Sequence, residues 1–246
     1  MAEQTVETPL QRMELLIGEE NLEKLQNSSV MVVGIGGVGS YVCEALARSG
    51  IKKLILVDGD TVALSNLNRQ IHATYDTLYQ SKTKAMKERI LTYRKDCEVI
   101  CFDMFYKEEE NDILFSQSVD FVVDAIDTMS SKLSLIKFCV AHKIPFISSM
   151  GMANRMDPTK IEIRDLSKTS YDPVAKIMRQ LIRKEKIKGK IPVVWSSEQP
   201  IVQTKIINEN GMTRKQKMPP SSSPFVPSAA GLAISSYVVK KIIENK

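Results

Sequence analysis

Val30-Met31-Val32-Val33-Gly34-Ile35-Gly36-Gly37-Val38-Gly39 is the stretch that decides the reading of this chain. Val30 to Ile35 is a short apolar run with no polar alternation, the pattern of a strand buried on both faces of a parallel sheet. The glycines after it permit a tight turn. The spacing of Val42, Ala45 and Leu46 then sets a helix from Val38 to Ser49, with Gly50 at its C-cap. Strand, glycine loop and helix in succession aim free N–H groups and the positive end of a helix dipole at one point, which suits a phosphate. Asp58 ends the next strand, Leu54 to Val57, 19 residues beyond Gly39, where a carboxylate can bind ribose hydroxyls.

Outward from that unit the alternation continues. Lys82–Tyr93 reads as an amphipathic helix, Val99–Phe102 as a third strand and Phe121–Asp124 as a fourth. A helix over Ser131–Ala141 follows, and a fifth strand begins at Pro145. Such βαβ units predict an α/β fold, a doubly wound, mostly parallel Rossmann-like sheet with helices on both faces. The pattern changes after residue 159. Lys160–Asp165 alternates as a half-exposed strand, Tyr171–Lys186 is a basic helix, Pro192–Ser196 a short strand, and Ala229–Glu244 a final amphipathic helix. Residues 208–224 are polar and rich in Ser, Pro and Lys, which reads as a loop. This later part is expected to form a C-terminal extension of one domain spanning 1–246, with a nucleotide-binding part over about 10–165 and a basic extension over about 166–246.

The 246 residues are 43% hydrophobic and 26% charged, a globular composition that excludes collagen-like, disordered and disulfide-scaffold classes. The net charge of +5 conceals a division. Residues 1–159 hold 17 Lys and Arg against 22 Asp and Glu, whereas residues 160–246 hold 17 against 7. An anionic partner for the second half is the simplest reading. The N-terminal residues show no basic start before an apolar core, and Phe225–Val239 is interrupted by Pro227 and three serines and is short of a membrane span. Four cysteines, Cys43, Cys97, Cys101 and Cys139, complete the expectation of a reduced, cytoplasmic protein.

Polar residues gather where the strands end. Asp60 and the run Leu64-Ser65-Asn66-Leu67-Asn68-Arg69-Gln70 follow the second strand, Lys82 opens the next helix, and Asp124 and Asp127 close the fourth strand. Gly34, Gly36, Gly37, Gly39, Asp58, Asp60, Asn66, Arg69, Gln70, Lys82, Asp124 and Asp127 are therefore the candidate nucleotide-binding residues, with Arg69, Lys82 and Asp127 as the catalytic set. Two cations with a carboxylate pair suit a triphosphate and magnesium better than a dinucleotide, Asp127 holding the metal. Taken singly, each has an ordinary alternative: Arg69 a surface ion pair, Lys82 a helix-terminal lysine, the aspartates helix caps.

Together the segments GIGGVGS, LVDGDTVALSNLNRQ, QSKTKAM and VVDAIDTMSSK resemble the ThiF/MoeB/HesA superfamily of ubiquitin-activating-type adenylyltransferases over about residues 10–165. The resemblance implies that ATP and a carboxylate give an acyl-adenylate and pyrophosphate. It implies a homodimer in which Arg69 reaches the partner's site. It assigns Gly36 and Gly37 to the phosphate loop, Asp58 to ribose, Asn66 and Lys82 to the phosphates and Asp127 to Mg2+. One departure is Tyr79, where the family usually has a glycine three residues before its lysine.

Sulfur-carrier activators of this superfamily often carry paired Cys-x-x-Cys zinc motifs and a later catalytic cysteine. Here Cys97 and Cys101 have three residues between them and no second pair, and no cysteine follows Cys139. The segments around Asp157-Pro158, Asp165 to Thr169, Asp172-Pro173 and Trp195 to Pro200 instead resemble the threonylcarbamoyladenosine dehydratase branch. That branch implies adenylation of the threonyl carboxylate of a modified tRNA adenosine, intramolecular attack by its carbamoyl group, and loss of AMP. No enzyme nucleophile is needed.

On this reading the partner is tRNA. Lys176, Arg179, Arg183 and Lys184 are the expected phosphate contacts, Lys205, Arg214, Lys215 and Lys217 form a second basic cluster, and Trp195 or Tyr171 is available to stack on an unpaired base. As ordinary alternatives, Trp195 is a core residue and His72, beside the Arg69-Gln70 segment, a structural histidine. The competing functions are activation of the C-terminal carboxylate of a ubiquitin-like sulfur carrier, with a sulfur-transfer protein as partner, and a nucleotide-binding scaffold or NAD-linked redox protein.

Overall fold

The computed structural model describes residues 7–202 and 220–244. Two short helices, α1 (Gln11–Ile17) and α2 (Glu19–Gln26), lead into the sheet, and neither is signalled by a strong sequence pattern. Then follow β1 (Ser29–Val33), α3 (Gly39–Ser49), β2 (Lys53–Val57), α4 (Lys82–Tyr93) and β3 (Glu98–Phe102). After a single-turn α5 (Asn111–Leu114) come β4 (Phe121–Asp124), α6 (Met129–Ala141) and β5 (Phe146–Ser149). The chain closes with β6 (Ile161–Asp165), α7 (Pro173–Lys184), β7 (Pro192–Ser196) and α8 (Phe225–Glu244).

The strand order is β3-β2-β1-β4-β5-β7-β6. All neighbours are parallel except β6, which runs antiparallel to β7 at one edge. β7 therefore enters the sheet between strands that precede it in sequence, so the later part of the chain completes the same sheet. The order reverses between β1 and β4, a switch point that opens a crevice beyond the carboxyl ends. Register fixes what meets there: Val33 lies level with Val57 on one side and with Asp124 on the other.

Successive β1 residues feed opposite layers, as the pleat requires. Val30 and Val32 pack with Val42 and Leu46 of α3 and Ile234 and Val238 of α8. Met31 and Val33 pack with Leu135 and Ile136 of α6 and Met178 and Ile182 of α7. Helices cover both faces as expected. Trp195 is fully in this second layer, which removes it as a stacking residue.

α8 starts four residues earlier than the sequence pattern suggests and includes Pro227 in its first turn, where a missing N–H costs no intrahelical bond. At 20 residues it is long and apolar enough to cross a membrane, yet it packs on α3, with 44% of its apolar window buried inside the fold. Gly231 makes the close crossing: a Cβ there would stand 2.6 Å from the Val38 carbonyl oxygen and 2.8 Å from the Tyr41 Cβ.

Candidate functional site

The crevice at the switch point is a cleft of about 970 Å3. Its floor is the loop between β1 and α3. Gly34 adopts φ 92°, open to glycine, and a Cβ there would meet the Ala125 carbonyl oxygen at 2.6 Å. Nothing lies within 4 Å of the position a Cβ would take on Gly36, so that backbone faces open space. Gly39 does not line the cleft. A side chain there would strike the Gly34 carbonyl, so its role is the tight turn itself.

Asp58 sits at the end of β2 and stiffens this floor. Its Oδ2 accepts from Ile35 N–H at 2.6 Å and its Oδ1 from Asp60 N–H at 2.8 Å. Burial raises its pKa, opposed by Lys82 and by these two N–H groups. Ser81 caps α4, its hydroxyl accepting from Lys84 N–H, which puts Lys82 in the first turn. The Lys82 ammonium is buried, donates to Asp60 Oδ2 at 2.6 Å and lies 4.0 Å from Asp58 Oδ1. One cation thus balances two carboxylates on this wall of the cleft.

A short 3-10 turn, Leu64–Asn66, presents Asn66, Arg69 and Gln70 to the same cleft. Asn66 Oδ1 accepts from Ala63 N–H at 3.0 Å and closes that turn. Arg69 is half-buried, and its Nη1 donates to the Ser65 carbonyl at 2.6 Å and to Asn68 Oδ1 at 3.0 Å. Desolvation lowers its pKa. Its Cγ passes 3.5 Å from the place a Gly37 Cβ would occupy, so Arg69 lines the cleft of its own chain. Gln70 is buried with its Oε1 unpartnered among the described residues.

Asp127 lies on the opposite lip, exposed, with a single long contact of 3.4 Å from Thr128 Oγ1. Its oxygens remain available, which fits a magnesium ion shared with phosphate oxygens, since Mg2+ needs only one or two protein carboxylates beside a nucleotide. No cluster of three acidic, His or Cys ligands exists among the described residues. Asp124 proves to be something else. It is buried in an ion pair with Lys132 at 2.8 Å and accepts from Ser148 Oγ at 2.5 Å, while its Oδ1 takes the Ile126 N–H at 3.0 Å. It shapes the turn leading to Asp127 and does not reach the cleft.

Several lining residues carry no sequence signal. Lys107, Asn154, Arg155 and Ser222 border the cleft from stretches without periodicity, and Ser149 borders it from the end of β5. Lys107, five residues beyond β3, and Ser149, at the end of β5, could have been found by the rule that ligands sit beyond the carboxyl ends of strands. His72 is buried away from the cleft with neither ring nitrogen partnered among the described residues, and burial lowers its pKa to about 4.

The four thiols are also elsewhere. None lines the cleft, and burial raises Cys97 to about 11 and Cys139 to about 12.

The proposed RNA face divides. Lys176, Arg183 and Lys184 of α7 are exposed. Arg179 turns inward, its Nη1 spent on the carbonyl and hydroxyl oxygens of Thr169. Tyr171 is exposed with φ 54°. Lys205, Arg214, Lys215 and Lys217 lie outside the described residues.

A family model for the ThiF family matches residues 10–242. The chain belongs to that family. Among its relatives is a tRNA threonylcarbamoyladenosine dehydratase of Bacillus subtilis strain 168, 48% identical over 95% of this chain and 94% of the relative. The Escherichia coli enzyme of the same name is 39% identical over 74% of this chain and 71% of the relative. The crystal structure of the Escherichia coli dehydratase in complex with ATP superposes with a TM-score of 0.85 at 32% identity, covering 96% of this chain and 94% of that one. A complex of that enzyme with AMP gives 0.86. A relative of this ThiF-family chain is thus known in complex with ATP, the nucleotide expected from the sequence, and with AMP.

Proposed function

We propose that the protein is an ATP-dependent tRNA threonylcarbamoyladenosine dehydratase. One observation carries the reading: Arg69, Lys82 and Asp127 converge with a glycine loop on one cleft that no thiol enters. An adenylating site without a nucleophilic cysteine suits a substrate that supplies its own nucleophile. The threonyl carboxylate oxygen attacks the α-phosphorus of ATP, and pyrophosphate leaves. The carbamoyl group then attacks the activated carbonyl carbon, closes a ring, gives up a proton and expels AMP, so the nucleoside loses one water overall.

In this scheme Gly36 and Gly37 offer backbone room for phosphate, and Asp58 and Asp60 border the ribose side. Asn66 and Gln70 bound the phosphate side, and Arg69 and Lys82 oppose the charge that builds on the phosphates. Mg2+, held by Asp127 and phosphate oxygens, would neutralise further charge. The absence of all four thiols from the cleft lining speaks against thioester or persulfide chemistry there, so activation of a sulfur carrier is not favoured. RNA binding on Lys176, Arg183 and Lys184 is supported by their exposure on a helix whose first turn, at Pro173 and Val174, lines the cleft. Treating residues 1–246 as one adenylating domain is supported by β7 and α8 sharing the sheet and core of the first half.

The test is incubation with ATP, magnesium and threonylcarbamoyl-modified tRNA, followed by mass spectrometry of the nucleosides. Loss of one water supports the reading; an unchanged mass from folded protein that binds ATP rejects it. A homodimer with Arg69 acting in trans follows from the family resemblance and is tested by mixing an Arg69→Ala chain with an Asp127→Asn chain. Recovered activity supports the trans role, and an inactive mixture assigns Arg69 to its own cleft.

A further inference from the structure

Asn154 and Arg155 stand where four stretches of chain meet beyond β5. Asn154 occupies the left-handed region at φ 59°, tolerable for asparagine. Its N–H donates to the Ser221 carbonyl at 2.8 Å, and its carbonyl accepts from Ile201 N–H at 2.7 Å. Its Oδ1 accepts from the Ser221 N–H and hydroxyl at 2.9 and 2.7 Å.

Arg155 is only 2% exposed. Its Nε donates to the Glu198 carbonyl at 3.0 Å, and its Nη1 donates to the carbonyls of Gly151 and, at 3.4 Å, Ala153. Its own carbonyl accepts from Ser223 Oγ at 3.1 Å. The Nη2 faces Asp172 Oδ2 at 3.6 Å, beyond hydrogen-bond range. Asp172 is already engaged, taking the Gly151 N–H through Oδ2 and the Ala175 N–H of α7 through Oδ1, both at 3.0 Å. The Glu198 carboxylate takes the N–H groups of Met156 at 3.0 Å and Asp157 at 2.9 Å.

Each stretch gathered here lines the cleft: Met150 to Arg155, Pro173 and Val174, Pro200, and Pro220 with Ser222. The glycine loop, Asp58 and Asp127 belong instead to the ends of β1, β2 and β4. One hydrogen bond, from Asn68 Nδ2 to the Ser222 carbonyl at 3.0 Å, joins the two sides. The Asp172 carboxylate already faces the guanidinium and three backbone carbonyls take its N–H groups, so an incoming anion gains little there. The fork of donors holds carbonyls in place, a task a point charge such as lysine cannot repeat.

We propose that Arg155, with Asp172 and Glu198, is the positioning residue of the acceptor side of the cleft, fixing the wall against which the modified nucleoside is held. This rests on the function proposed above. It also gives a use to the Asp172-Pro173 and Glu198-Gln199-Pro200 segments, which nucleotide binding leaves without one.

The experiment compares Arg155→Met, Arg155→Lys and Glu198→Gln in the full-length protein. It measures ATP affinity by calorimetry, and KM and kcat for the modified tRNA. Arg155→Met is expected to lower kcat/KM for the RNA by about 10²-fold, the usual cost of an ångström-scale misplacement, with ATP affinity unchanged. Arg155→Lys is expected to restore little of this. Glu198→Gln, half-buried and tolerable to the fold, is expected to raise KM for the RNA while leaving kcat and ATP affinity near the starting values. A parallel loss of ATP affinity, full rescue by lysine, or no change in folded variants overturns the proposal. If Arg155→Met does not fold, Glu198→Gln decides. An unmutated protein that binds ATP and leaves the RNA mass unchanged overturns the proposed function and this inference together, whereas an active parent with indifferent variants overturns this inference alone.

Discussion

Lys132 and Asp124 form an ion pair with almost no solvent contact, sealed by Ser148. Removing one partner of such a pair strands a buried charge. Lys132→Met should cost about 3–5 kcal/mol in urea denaturation, and adding Asp124→Asn should recover part of the loss. His72 gives a pH signature. Its folded pKa of about 4 lies below the ordinary histidine value of 6.5, so between those values the unfolded chain binds the proton that the folded chain refuses. Stability therefore falls as pH drops from 6.5 towards 4, by up to about 3 kcal/mol for this group, and is fully kept above 6.5. Thermal melts across that window should flatten in His72→Gln relative to the parent; an identical slope in the two proteins would remove His72 as the cause. The sequence set both Asp124 and Asp127 beside the nucleotide, with Asp127 alone holding the metal, and nothing in it marked Asp124 as buried. The burial of Lys132 against Asp124 makes that carboxylate structural, whereas Asp127 lines the cleft with its oxygens exposed.

At the scale of elements, the crossing of α8 over α3 controls the glycine loop from behind. Val38 is the N-cap of α3, and a Cβ on Gly231 would stand 2.6 Å from its carbonyl oxygen. Gly231→Ala should destabilise the protein by about 1–3 kcal/mol, as overpacking does, and also weaken ATP binding, measured by melting temperature and calorimetry. Strand limits were read from sequence almost unchanged, β4 and β7 without error, because runs such as Phe121-Val122-Val123 must be buried on both faces. The start of α8 was not, since Pro227 reads as a break until its place in a first turn is known. α1 and α2 escaped notice because their faces pack against a core assembled from distant residues.

For the whole molecule the charge division acquires a geometry. α7 carries its exposed Lys176, Arg183 and Lys184 outwards from a first turn that borders the cleft. Replacing Arg183 and Lys184 by glutamine should weaken tRNA binding and reduce the slope of log affinity against log salt by about 1 per lost phosphate contact. An unchanged slope in filter-binding titrations would place the RNA on another face.

What the sequence by itself determined is local and periodic: the strand-loop-helix unit around Gly34, the alternation that makes a doubly wound sheet, and the cations and carboxylates that follow strand ends. These are legible because a glycine turn, a buried strand and a helix start each constrain a few consecutive residues. The tertiary structure decided which polar groups are free. It spent Asp124 on Lys132 and Arg179 on Thr169, placed Trp195 in the core, and drew Asn154, Arg155, Asp172 and Glu198 to one point from separate stretches. A buried charge is defined by the partners the fold brings to it, and those partners lie up to tens of residues away along the chain.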